Sequence, residues 1–361
     1  MRIALVAPPF LCVPPKNYGG TELFVAHLAE RIQLAGHAVV VYTVGDSSVT
    51  VERRWLFEHG EWPLQSDSAV QLRDLRHNAW AIEDAAHDCD IIHVQSAPAL
   101  VFSKFVAVPF VYTVHHAHDE TLTKFYAHYP ETTYVAISEF QRLQEPTLHM
   151  HTVHHGVDTA AYQLREHKQD YLCFLGRFAP SKGVHLAIEV AKKSGIPLKL
   201  AGEVQPLYKE YFERQVKPHL DGRFIEYLGE ADLPMKNELM GNARAVLFPI
   251  QWNEPFGLVM IESMACGTPV LALPGGSVPE VVRDDVSGYV CKDIDEMAER
   301  AQTINIAPRL VRKYCEKFFS VEVMTKNYLA VYDLIHSVSQ MPAVADQLAP
   351  ELAINGEEAT A

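Results

Sequence analysis

The sequence predicts an α/β protein made of two parallel sheets, each covered by helices on both faces. Three observations predict it. Short, nearly all-apolar runs alternate with helical patterns along most of the 361 residues, which is how strands buried on both faces read. Glycines at 36, 195 and 267 stop the clearest helical patterns. The run REHKQD at 165–170 carries no apolar residue and divides the chain into two halves of this kind, each the size of an ordinary domain.

In order, the first half offers strands at 3–6, 38–43, 91–94, 110–114 and 133–136, rich in Ile, Val, Tyr and Thr, with a helix pattern at 21–35. The second half offers strands at 171–175, 198–201, 225–228, 245–248, 269–272 and 289–291, with helix patterns at 184–193 and 257–266. Two Rossmann-like, doubly wound domains follow, 1–165 and 166–310. The C-terminal ends of their sheets would face each other across a cleft. Residues 311–337 read as closing helices. The Ala-rich, acidic stretch 338–361 has no pattern and reads as a mobile tail.

Composition narrows the partners. Hydrophobic residues make up 48% and charged residues 21%, which excludes a disordered, collagen-like or coiled-coil chain. The net charge is −14, with 11 basic residues against 18 acidic ones in 1–165 and 20 against 27 in 166–361. Neither part matches nucleic acid or anionic lipid, so no nucleic-acid partner and no strong membrane association are expected. Any bound phosphate must be held by local groups. Six scattered cysteines without a C-x-x-C pair read as reduced thiols. No apolar run reaches the ~18 residues of a membrane span. Pro8-Pro9 interrupts the apolar start, which reads as a first strand in place of a signal peptide. The expected compartment is the cytoplasm.

Three loops concentrate chemistry. The first strand leads through Pro14-Pro15-Lys16-Asn17-Tyr18 to Gly19-Gly20 at a helix start. There the free N–H groups suit an anion, although both glycines could serve only to shape the loop. The second half opens with a strand followed by Gly176-Arg177 and Lys182-Gly183. Its two cations can converge on a phosphate pair or stand as solvated loop charges. The third loop carries Glu254 just before a helix start formed by Phe256, Gly257, Leu258 and Val259, with Glu262 among apolar neighbours inside the helix. Carboxylates accept sugar hydroxyls and helix N–H groups take phosphate. A Glu in that apolar context needs a partner, which a ribose diol could supply, unless it turns to solvent.

The stretch WNEPFGLVMIESMACGTPVLALPGGSVPEVV, with seven residues between Glu254 and Glu262, closely resembles the signature of the retaining nucleotide-sugar glycosyltransferases of family 4. Gly19-Gly20-Thr21-Glu22, Thr113-Val114-His115, Ala136-Ile137-Ser138-Glu139 and His155-Gly156-Val157-Asp158 extend the resemblance over most of the chain. It implies the GT-B fold, with a C-terminal helix returning to the first domain, which would be the acceptor side. It also implies a nucleoside diphosphate sugar as donor, a hydroxyl acceptor and no essential metal or other cofactor. Arg177 and Lys182 would neutralise the diphosphate, and Glu262 would bind the ribose. Glu254 would bind the transferred sugar, with the N–H groups of Phe256, Gly257, Leu258 and Val259 beside it. Gly19 and Gly20 would let the first loop approach the diphosphate, and His115 would face the anomeric carbon. The implied chemistry is same-face attack, with the leaving phosphate taking the acceptor's proton. A UDP-sugar is the favoured donor, a GDP-sugar the second choice, and a soluble acceptor is expected. His155 stands where the family commonly has Asn.

Two histidine clusters, His115, His116 and His118, then His149, His151, His154 and His155, would suit a metal-dependent hydrolase. Their spacing matches no metal motif. The same motifs are also compatible with a GT-B phosphorylase or synthase, and with an inactive sugar-nucleotide-binding protein.

Overall fold

The computed structural model describes residues 1–16, 19–62, 68–145 and 148–339. Of the tail expected at 338–361, residues 338 and 339 belong to the last helix and 340–361 lie outside the described residues, as do Asn17 and Tyr18 of the first loop. One sheet holds β1 (Arg2–Val6), β2 (Ala38–Val44), β3 (Glu52–Phe57), β4 (Ile91–Val94), β5 (Phe110–Val114), β6 (Thr133–Ala136) and β7 (Met150–Thr152), in the order β3-β2-β1-β4-β5-β6-β7. The other holds β8 (Leu172–Leu175), β9 (Leu198–Ala201), β10 (Ile225–Tyr227), β11 (Ala245–Phe248), β12 (Val270–Ala272) and β13 (Gly288–Val290), in the order β10-β9-β8-β11-β12-β13. Every pairing is parallel. The helices are α1 (Gly20–Leu34), α2 (Ser68–Ala85), α3 (Glu120–Tyr126), α4 (Glu139–Leu143), α5 (Val184–Ser194), α6 (Lys209–Tyr211), α7 (Leu233–Asn242), α8 (Leu258–Ala265), α9 (Val278–Val281), α10 (Ile294–Thr303), α11 (Pro308–Phe318) and α12 (Val321–Ser339).

Both sheets reverse their strand order at the centre, beside β1 in the first and β8 in the second. The loops leaving those two strands therefore open into a crevice, the usual ligand position in doubly wound sheets. The apolar strands follow from burial on both faces. In β1, Ile3 and Leu5 pack into one core while Ala4 and Val6 pack into another. In β8, Leu172 and Phe174 face one core, Cys173 and Leu175 the opposite one.

All eleven expected strands form, and β3 and β7 are additional. Both lie at the sheet edge, where strands need little apolar content. In β3, Glu52 and Arg54 instead join a surface network with Arg2, Asp84 and Asp88. The polar run at 165–170 is not a free tether. Lys168 Nζ donates to Gly241 O (2.8 Å), Cys266 O (3.2 Å) and Thr268 Oγ1 (2.7 Å), and burial lowers its pKa to about 8. It satisfies carbonyls orphaned at the ends of α7 and α8.

The closing helices part company. Val311 and Cys315 of α11 enter the core beside α8, whereas Val321, Met324, Tyr328, Val331 and Tyr332 of α12 enter the core of the first sheet beside α1. A buried polar chain fastens α12 there. His93 Nδ1 meets Tyr332 Oη at 2.7 Å, His93 Nε2 meets Thr113 Oγ1 at 2.8 Å, and Thr113 Oγ1 meets Tyr328 Oη at 2.9 Å. The chain passes between the sheets twice, and the two passages pair: Val157 N donates to Phe319 O (2.8 Å) and Val321 N to Val157 O (3.1 Å). A Cβ on Gly156 would lie 2.5 Å from Ser320 O, so only glycine permits this approach.

Removing the Tyr332 hydroxyl strands one nitrogen of His93. Tyr332→Phe is expected to lower stability by about 1–3 kcal/mol, read from the urea midpoint. Burial also holds His93 and His155 near about 3 and His77 near about 4, below the ordinary imidazole value. Such groups bind protons only in the unfolded chain between their folded values and pH ~6.5. Stability is therefore full above about pH 6.5 and falls as pH drops below it. A urea midpoint that stays flat from pH 7.5 to 5 would contradict this.

Candidate active site

Four loops converge on the crevice. The β1–α1 loop brings Gly19 and Gly20, with Gly20 facing Leu258 across the gap, where an added Cβ would come 3.5 Å from Leu258 Cδ1. The β8–α5 loop brings Arg177 and Lys182. Gly183 closes it in the left-handed region (φ 73°), and a Cβ there would lie 1.9 Å from Pro249 O, so this loop and the β11–α8 loop pack backbone to backbone. Gln251 N donates to Ser181 O (2.8 Å) across the same seam. The β11–α8 loop brings Glu254 and Phe256. Ser277 braces it through its N–H to Glu254 O and its hydroxyl to Phe256 O, both 2.9 Å. The end of β5 brings His115.

Two adjoining cavities of about 550 and 510 Å³ occupy the crevice. Gly19, Gly20, Gly176, Arg177, Leu258 and Val259 line both and form the neck between them. Lys182, Glu254, Phe256, Gly257 and His115 line the first cavity only, and Glu262 lines the second with Lys236 and Tyr162. The predicted residues thus share one cleft, but the two carboxylates stand in separate chambers.

Each carboxylate carries its own lysine. Glu254 is buried and pairs with Lys182, and Trp252 Nε1 donates to the same Glu254 oxygen at 2.9 Å. Lys182 Nζ also lies 4.8 Å from the centre of the Trp252 ring. Glu262 is likewise buried, and its Oε1 accepts from Tyr162 Oη and Lys236 Nζ, both at 2.8 Å. The partner that Glu262 needs is therefore supplied by the protein itself. Burial beside Glu262 pushes the Tyr162 phenol well up, keeping it a donor. Arg177, at the neck, has no ion-pair partner among the described residues, and its Nε is buried without a hydrogen bond.

His115 meets Gln95 Oε1 through Nε2 at 2.8 Å and stacks on His155, with ring centres 5.5 Å apart and planes 8° from parallel. Phe24 stands edge-on to both rings at 5.0 and 5.2 Å. Burial, then the neighbouring imidazoles, hold His115 well below its usual pKa, so the ring is neutral at pH 7. The remaining histidines disperse. His116 bonds Tyr126, His118 bonds Glu145 and His154 bonds Glu280. Among the described residues, no three His, Cys, Asp or Glu side chains gather to hold a metal.

Lys236, Tyr162 and Gln95 had no signal in the sequence. Tyr162 and Glu262 are 100 residues apart, and nothing local announces their meeting.

The family model for Glycosyltransferase Family 4 matches residues 18–161, and that for Glycosyl transferases group 1 matches 159–314. The chain is 26% identical to a glycogen synthase of Mycobacterium tuberculosis, covering 84% of this chain and 86% of that one. It is 21% identical to spore coat protein SA of Bacillus subtilis, covering 92% and 99%. Among solved structures, sucrose-phosphate synthase from Thermosynechococcus elongatus superposes with a TM-score of 0.76 at 18% identity, covering 93% of this chain and 99% of that one. Anabaena HepE in complex with UDP and glucose superposes with a TM-score of 0.72 at 17% identity, covering 92% and 100%. These structural likenesses show the GT-B fold.

The Lys182–Glu254 pair is largely shielded from water, so breaking one side strands the other. Lys182→Met is expected to cost about 3 kcal/mol of stability, and adding Glu254→Gln should restore part of it. Denaturant unfolding of the two single variants and the double variant reads the coupling directly.

Proposed function

Because the chain belongs to the group 1 glycosyltransferases, acting with nucleotide-sugar donors, we propose a specific transfer. A sugar moves from a UDP-sugar, or as second choice a GDP-sugar, to a soluble hydroxyl acceptor, with retention at the anomeric carbon and without an essential metal. The observation that carries this is the neck between the two cavities. Arg177 stands there with no ion-pair partner among the described residues, beside the backbone of Gly19, Gly20 and Gly176 and the N-terminal turn of α8, a set suited to a diphosphate.

From that anchor the donor runs both ways. The nucleoside enters the second chamber, its ribose toward Glu262, which Tyr162 and Lys236 hold in place. The sugar enters the first chamber, its hydroxyls toward Glu254 and its anomeric carbon toward His115. Uridine is favoured because a protein of the same fold, HepE, is held with UDP and with UDP-glucose. Among the described residues no helix is long and apolar enough to cross a membrane, and the six cysteines are free thiols; we place the enzyme in the cytoplasm.

The acceptor oxygen attacks the anomeric carbon from the face the phosphate leaves, and its proton passes to a leaving phosphate oxygen. Arg177 and Lys182 stabilise the charge that develops on that phosphate, the task a divalent ion would otherwise perform. Lys182 and Trp252 both bond one oxygen of Glu254, and the other oxygen is assigned to the hydroxyls of the sugar in place of a nucleophilic role. His115, uncharged and held by Gln95, positions the oxocarbenium-like sugar.

UDP is expected to raise the melting temperature more than the other nucleoside diphosphates. Arg177→Ala should abolish most of that shift and cut turnover by about 10²–10³. A variant that keeps both the shift and near-full turnover would overturn the placement of the diphosphate.

A further inference from the structure

The first-sheet wall of the 550 Å³ cavity has a chemistry of its own. It presents Leu11, Thr21, Glu22, Trp62, His115 and His116. No lysine or arginine from the first sheet's side reaches this cavity among the described residues. On the opposite wall, Lys182 is taken by Glu254 and Arg177 stands at the neck. His115 is held neutral by burial, and both ring nitrogens of His116 are already engaged, Nδ1 with Ala117 O and Nε2 with Tyr126 Oη, each at 2.7 Å.

The remaining charge on that wall is Glu22, in the first turn of α1. It is 6% exposed and lines the cavity, and its carboxyl group bonds its own backbone N–H but no side chain among the described residues. Burial raises its pKa above the usual carboxylate value, and a buried carboxyl group with so few donors is stabilised by each further one that arrives. Hydroxyl and ammonium groups are donors, whereas phosphate and carboxylate are repelled. Trp62 stands at the mouth, 44% exposed, offering a flat apolar face of the kind that takes the C–H face of a sugar ring.

We propose that the acceptor bound here is an uncharged or amine-bearing carbohydrate, its hydroxyls held by Glu22 and its apolar face laid on Trp62, and that phosphorylated and carboxylated acceptors are excluded. This rests on the glycosyltransferase reading and specifies its acceptor. In the transfer, the bond from the anomeric carbon to the diphosphate oxygen breaks and one to the acceptor oxygen forms. The acceptor's proton goes to the departing diphosphate.

The test measures UDP release from UDP-glucose, UDP-galactose and UDP-N-acetylglucosamine, first with water alone. Glucose, methyl glucoside and glucosamine are then added, against glucose 6-phosphate and glucuronate at matched concentration. The neutral and amino sugars should raise release several-fold, and the two anions should leave it at the hydrolytic baseline. Stimulation by either anion, or by none of the other three, overturns the proposal. Glu22→Gln should raise the half-saturating acceptor concentration about ten-fold or more with a smaller change in kcat. Trp62→Ala should do likewise and Trp62→Phe should rescue it. Stabilisation of each variant by UDP shows that it is folded. If the native chain neither hydrolyses any donor nor gains stability from UDP, the glycosyltransferase reading falls and the acceptor proposal with it.

Discussion

The pairing of two backbone passages, Val157 against Ser320, is the constraint on which the rest of the molecule depends. The cleft lies between two sheets, so its geometry is set wherever the chain crosses from one to the other. Hydrogen bonds from Val157 to Phe319 and from Val321 to Val157 make those crossings a single seam. Arg31 of α1 reaches both Asp158 (3.4 Å) and Glu322 (3.2 Å), tying the seam to the helix that begins at Gly20. The first loop of the site and the hinge between the sheets are therefore joined by one helix.

The second organising fact is electrostatic. In a chain of net charge −14, Lys16, Arg177, Lys182 and Lys236 line the two cleft cavities. Lys182 and Lys236 each hold a buried carboxylate. Buried pairs of this kind add little net stability, because desolvation offsets most of the attraction. Their effect is to fix where each carboxylate points. Arg177 has no ion-pair partner among the described residues and lines both chambers, whereas the exposed Lys16 lines only the second.

Much of this was legible in the chain itself, for reasons that are local. Parallel strands buried on both faces write themselves as apolar runs, and all eleven expected ones form. The edge strands β3 and β7 did not announce themselves, because one side of an edge faces water and tolerates Glu52, Arg53, Arg54 and His151. The run at 165–170 read as the divide between two halves because it is polar, and its polarity also serves carbonyls at two helix ends, through Lys168. Burial of Glu262 was legible from its apolar neighbours; its partners Tyr162 and Lys236, 100 and 26 residues away, were not.

By itself the sequence determined the two-sheet α/β class, the loops that carry the chemistry and the residue types gathered there. Period, glycine placement and short motifs are properties of neighbours along the chain. Only the tertiary structure decided that Glu254 and Glu262 occupy different chambers, that Lys182 is tied to one of them, and that Arg177 lines both chambers with no ion-pair partner among the described residues. It also decided why Gly156 must be glycine, since the atom it must avoid, Ser320 O, belongs to the second crossing. These are relations between segments remote in sequence, and only packing in three dimensions sets their distances.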